Sequence, residues 1–162
     1  MNMITKLLLV CVASAAGAMT GLFFSKRLKA RANYYKALVA FLNHIIAEVK
    51  FRRNPIKTVI REFMAFGETP LSKNLSEYLA EADPKNLKLS RGSLKQAELA
   101  EVKKLLSGLG ASDADTQNFE LEAEKAKFTP ISETAAQHSA KYAASYVKVG
   151  FLLGLALGIL IL

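Results

Sequence analysis

Two uninterrupted apolar stretches bracket this chain, and every acidic residue lies between them. Leu7 to Phe24 (LLLVCVASAAGAMTGLFF) forms the first, and Val149 to Leu162 (VGFLLGLALGILIL) forms the second. Of the basic residues, only Lys6 falls outside the interval from Ser25 to Lys148. A run of that kind needs either a large core or a bilayer around it, and 162 residues leave room for one modest domain. The layout therefore predicts an N-terminal transmembrane helix over 1–24, a polar domain over 25–148, and a C-terminal transmembrane or membrane-inserted helix over 149–162. Membrane lipid is the first partner implied.

Eighteen residues at 1.5 Å each reach about 27 Å, enough for the hydrocarbon layer. The fourteen-residue second stretch reaches only about 21 Å. It spans by borrowing Tyr142 to Val147 and letting Lys148 snorkel, or by local thinning of the bilayer. Gly17 and Gly21 have the spacing of close helix packing, and Gly150, Gly154 and Gly158 repeat it on one helical face. These glycine faces are expected to associate, within one chain or between chains of a homo-oligomer. A cleaved signal peptide shares the opening pattern, but the apolar run continues through Phe24 into a dense basic cluster, which opposes export. Cys11 is the single cysteine, so a disulfide framework and a cysteine-based zinc site within one chain are excluded. Val10 before it is a poor fit to a lipoprotein acceptor, and a passive, lipid-buried thiol is expected.

The net charge of +8 points to anionic lipid, nucleic acid or an acidic protein surface, and its distribution decides among them. Between Ser25 and Lys57 lie nine basic residues against Glu48 alone, and five of the nine fall between Lys26 and Lys36. Density of that kind next to a membrane segment is the positive-inside signature, and it places the polar domain in the cytoplasm. No basic motif studded with aromatics is present, so nucleic acid is not an expected partner.

The polar domain reads as all-α. Tyr35, Leu38, Leu42, Ile45 and Val49 recur at helical spacing in a helix continuous with the first apolar stretch, flanked by Tyr34, Phe41 and Ile46. Asn54-Pro55 opens a second helix, with Pro55 at its first position, and Ile56, Val59, Ile60, Phe63 and Met64 line its apolar face. Thr69-Pro70 opens a third, with Leu71, Leu75, Tyr78 and Leu79 facing inward. Ser93 with Gln96 predicts a capping box for a fourth helix over Leu94 to Ser107, stopped by Gly108 and Gly110. Ser112 or Asp113 caps a last long helix, which Pro130 is expected to kink or interrupt.

The two long helices must run antiparallel if they pack together. Placing Ser25 level with Lys148 brings Glu120 and Glu122 beside Lys50, Arg52 and Arg53, as ion pairs that staple the far end of the hairpin. Glu48 is the acid of interest, at the edge of the apolar stripe; it is either an exposed helix charge with Arg52 one turn on or a contact for another helix or a partner. The chemistry of catalysis is missing. No phosphate-binding loop or nucleophile elbow occurs. His44 and His138 lie on different helices, without a metal-like neighbour in spacing, so no metal, cofactor or enzymatic activity is expected.

The membrane exit FFSKRLKAR, the stretch AEVKFRRNPIKTVIREF, the segment LSGLGASDADTQ and the tail YVKVGFLLGLALGILIL together resemble the stage III sporulation protein AB family, over essentially the whole chain. That family is similar to the F-type inner-membrane platform proteins of type II secretion systems. The resemblance implies a membrane-anchored antiparallel helical bundle in the mother-cell membrane facing the forespore. It further implies a non-enzymatic platform in a secretion-like channel complex, beside a secretion-type cytoplasmic ATPase and other membrane proteins. The family pattern gives Glu48 a contact role, while the density of Lys50, Arg52 and Arg53 is a departure from it. A rival class is a holin-like or membrane-remodelling protein whose glycine-rich helices oligomerise into a pore. A pore former has no need of the polar domain. A lipid-surface sensor using Lys26 to Lys36 is a third reading.

Overall fold

A computed structural model describes residues 3–51, 54–83 and 86–160. Five helices follow in order: α1 (Met3–Phe51), α2 (Ile56–Ala65), α3 (Ser72–Ala80), α4 (Gln96–Gly108) and α5 (Ala114–Leu160). No strand occurs among the described residues. The chain divides into two compact units, one of Met1–Ala30 with Ala135–Leu162 and the other of Arg31–Thr134. The long helices α1 and α5 contribute to both.

The Arg31–Thr134 unit is a helical bundle with its own core. The periodic stripe of α1 is buried throughout, with Leu38, Phe41, Leu42 and Ile45 wholly inaccessible. Val59 and Ile60 from α2, Leu71, Leu75 and Tyr78 from the third-helix region, and Val102 and Leu106 from α4 join it. From α5 come Leu121 and Phe128, the latter stacked on Tyr35 with ring centroids 6.3 Å apart.

The helix starts are set by local hydrogen bonds. Pro55 is the residue before the first turn of α2, one position earlier than its expected place, and its carbonyl accepts from the N–H groups of Thr58 and Val59. Thr69 N–H donates to Ser72 Oγ at 2.9 Å ahead of α3. α4 begins later than Ser93 predicts: Lys95 precedes its first turn, and Glu98 reaches back to accept from Lys95 N–H at 2.8 Å. Asp113 accepts from Thr116 N–H at 3.2 Å and caps α5. That helix runs unbroken through Pro130. The Thr129 hydroxyl donates to the Lys125 carbonyl at 2.7 Å, one turn back along the helix.

The other unit is a pair of helical arms with an apolar exterior. α1 and α5 are long and apolar enough to cross a membrane, yet only 11% and 17% of their most apolar stretches are buried. A core helix of a water-soluble bundle would be mostly covered. Leu7, Met19, Phe23, Leu152, Leu157 and Leu160 stand exposed, and an apolar exterior of that kind suits a lipid or partner surface.

Candidate functional site

Within the apolar unit the two arms meet through glycine. A Cβ on Gly17 would run into the Gly150 carbonyl and come 2.9 Å from Gly154 Cα. One on Gly21 would strike the Tyr146 carbonyl, and one on Gly154 would lie 2.5 Å from the Ala13 carbonyl. Gly158 is looser, 3.0 Å from Val10 Cα. Ser14, Ser25, Ser139 and Ala143 complete the buried seam, with Ser14 Oγ donating back to the Val10 carbonyl at 2.8 Å. Backbone-to-backbone approach of this kind lets dispersion and weak Cα–H···O contacts act without a side chain between.

That seam corrects the expected register. Gly21 faces Tyr146, about six residues short of the Leu152 that the Ser25–Lys148 alignment demands. In the other unit Tyr35 faces Phe128 instead of a position near His138. Close glycine contact sets the stagger of the arms, and the levelling of flanking charges does not. The acidic stretch accordingly has local partners. Glu120 accepts from Ser112 Oγ at 3.3 Å, Glu122 pairs with Lys125 at 3.6 Å, and Lys50 lies over the ring of Phe51. Arg52 and Arg53 lie outside the described residues.

The polar unit is organised around α4, which is tied to both long helices. Arg31 on α1 grips Glu98 with Nε at 3.0 Å and Nη2 at 2.5 Å from Oε1. Lys127 on α5 pairs with Glu101 and lies 3.8 Å from Glu124. Burial pushes the Glu98 carboxyl up, but hydrogen bonds from Arg31 and from Lys95 N–H outweigh it and hold the group below its ordinary value. The same hydrogen bond raises the Arg31 guanidinium, which also sits 5.4 Å from the centre of the Tyr35 ring. Burial, with Glu98 adding to it, pushes the Tyr35 hydroxyl up to about 12. Arg31 is therefore engaged inside the protein, whereas Lys26, Arg27 and Lys29 are exposed. Deeper in the core, Asn74 Nδ2 donates to Tyr34 Oη at 3.0 Å in a buried pair.

Glu48 is half-buried at the α1–α2 junction. Its Oε2 accepts from Asn54 Nδ2 at 3.2 Å. His44, one turn earlier on α1, and Glu62 on α2 come to the same place, with one ligand atom from each of the three residues within 4.8 Å of the others. The His44 ring is flanked by Phe63 and Phe66, each 5.7 Å away between centroids. This corrects the expectation that His44 has no carboxylate neighbour at a useful spacing. His44 and Glu48 stand four apart, a separation that puts both on one helical face, and that half of the cluster was readable in the sequence. Glu62 was not, because it lies on α2, and the packing of α2 against α1 is not announced by any local spacing.

No curated protein and no solved structure matches this chain. The family model that does match, stage III sporulation protein AB, covers residues 6–162, a span that takes in both apolar arms and the whole helical bundle, and the chain belongs to that family.

Proposed function

We propose that this protein is a membrane-anchored platform of a secretion-like complex that operates during sporulation. Its two apolar arms hold it in the mother-cell membrane facing the forespore. Its helical unit, on the cytoplasmic side, docks a secretion-type ATPase and neighbouring membrane proteins of a channel complex. The observation that carries this reading is the Arg31–Thr134 unit, a bundle with its own buried core between two arms fit for lipid. A holin-like pore former has no use for such a bundle. The dense basic residues after the first arm support the cytoplasmic side for it. Glu48, Lys50, Arg52 and Arg53, with Glu120 and Glu122, are the charges proposed to meet a partner.

The test combines topology with capture. In a Cys11→Ser background, a single cysteine replaces the exposed Ala111, a better site than neighbouring Gly110, whose φ of +80° disfavours a side chain. An impermeant thiol reagent should label it only after the cells are opened, and the intact protein should retain an ATPase on affinity purification from sporulating cells. Labelling of unopened cells would invert the hairpin and end the platform reading. Leakage on overexpression, with no ATPase retained, would favour the pore.

A further inference from the structure

We propose that His44, Glu48 and Glu62 form a site for one divalent transition-metal ion of the zinc class. The three side chains come from two helices, are each half-buried, and place a ligand atom apiece within 4.8 Å of one another. Donors about 2.1 Å from a tetrahedral ion sit roughly 3.4 Å apart. Closing the cluster onto an ion thus takes a movement on the order of 1 Å, within the reach of glutamate side-chain rotation.

A second observation points to a ligand. The Nε2 atom of His44 is buried without a hydrogen-bond partner among the described residues. Buried polar atoms are satisfied in the great majority of cases, and the Nε2 lone pair of a neutral imidazole is a metal donor. Phe63 and Phe66 flank the ring, so packing holds it while Nε2 has no partner among the described residues. Asn54 Nδ2 donates to Glu48 Oε2, an outer contact of the type that orients a ligating carboxylate. A carboxylate carries about four lone-pair directions, so that bond and a metal bond are compatible.

The donor set selects the class of ion. One imidazole nitrogen and two carboxylates suit zinc and its transition-metal neighbours, whereas calcium and magnesium take oxygen ligands. Three protein ligands leave a fourth position open, for water or for a donor from a partner. The ion would tie α1 to α2. Metal binding goes beyond the platform reading and does not depend on it, because it is measured on the purified chain without a partner.

The experiment uses the full chain in detergent, free of any polyhistidine tag and stripped with a chelator. It is titrated with zinc against a competing chelating dye, and with cobalt as a coloured probe. Wild type is expected to bind one ion per chain at micromolar concentration or below, with cobalt giving the intense visible bands of low coordination. His44→Gln and Glu62→Gln should each weaken binding at least about tenfold, while His138→Gln, on an exposed residue outside the cluster, should bind as wild type does. Helical circular dichroism checks each variant, and if His44→Gln unfolds, Glu62→Gln decides. No binding at micromolar zinc overturns the proposal, and so does binding that survives both substitutions undiminished.

Discussion

Alanine at Gly17 or Gly150 tests whether backbone contact holds the two arms. A Cβ on Gly150 would lie 2.5 Å from the Gly17 carbonyl oxygen and 3.1 Å from Gly21 Cα, where ordinary contact begins at 3.4 Å. Neither obstacle is a side chain that can swing away, so the arms must separate by roughly 1 Å and lose the contacts around the crossing. Overpacking of this kind costs about 1–3 kcal/mol, and alanine's better helix preference offsets about 0.8–1 kcal/mol of it. The net expectation is a loss of about 0–2 kcal/mol for Gly17→Ala or Gly150→Ala. Gly158→Ala should lose less, since its nearest obstacles beyond Val10 Cα are the side chains of Val10 and Ala13 at 3.3 and 3.4 Å. Gly108→Ala, with nothing within 4 Å, should leave the arms untouched. The assay is an SDS titration of detergent-solubilised protein, with spin labels on cysteines replacing the exposed Met19 and Leu152 in a Cys11→Ser background. The fraction of close label pairs reports arm association, and circular dichroism confirms that the helices persist. If Gly17→Ala and Gly150→Ala dissociate at the same SDS concentration as Gly158→Ala and wild type, the close crossing is refuted.

Two further outcomes concern the polar unit. Glu98 has a carboxyl held below its ordinary value in the fold, so its contribution is fully present above the unfolded value of about 4.5 and is lost as pH falls through the lower folded one. Thermal unfolding should therefore show a drop in stability below that pH; Glu98→Gln should flatten the drop and cost about 1–3 kcal/mol at neutral pH, and an unchanged acid profile would refute the pairing with Arg31. Tyr34→Phe removes the buried acceptor of Asn74 Nδ2 and should cost about 1–2 kcal/mol in urea unfolding. Tyr34→Phe combined with Asn74→Leu should cost less than the sum of the singles, because the double change leaves no buried donor unpaired; simple additivity would count against the bond.

What was legible in the sequence was whatever a repeated local spacing could announce. The stripe Tyr35, Leu38, Leu42, Ile45 and Val49 repeats large apolar residues at helical spacing along α1, and all five are buried. The proline and glycine signals found the breaks between helices but missed single positions, because a cap is decided by which side chain reaches the free N–H groups. At α4 that group is Glu98, reaching back to Lys95, and not Ser93. Pairings between distant residues left no such trace. Arg31 and Glu98 stand sixty-seven positions apart, and Asn74 and Tyr34 forty.

The register failed for a more instructive reason. Flanking charges are exposed and tolerate sliding by a turn or more, since each exposed pair is worth only about 0–1 kcal/mol. Glycine contacts tolerate almost none, since a shift of one residue sets a side chain against the opposing backbone. Gly17 against Gly150 and Gly154, with Gly21 against Tyr146, therefore outweighs the alignment of Ser25 with Lys148. Where a chain offers both a small-residue face and a charge pattern, the steeper potential is the one to follow. The steric contact fixes the stagger of the arms, and the charges take the partners that stagger leaves within reach.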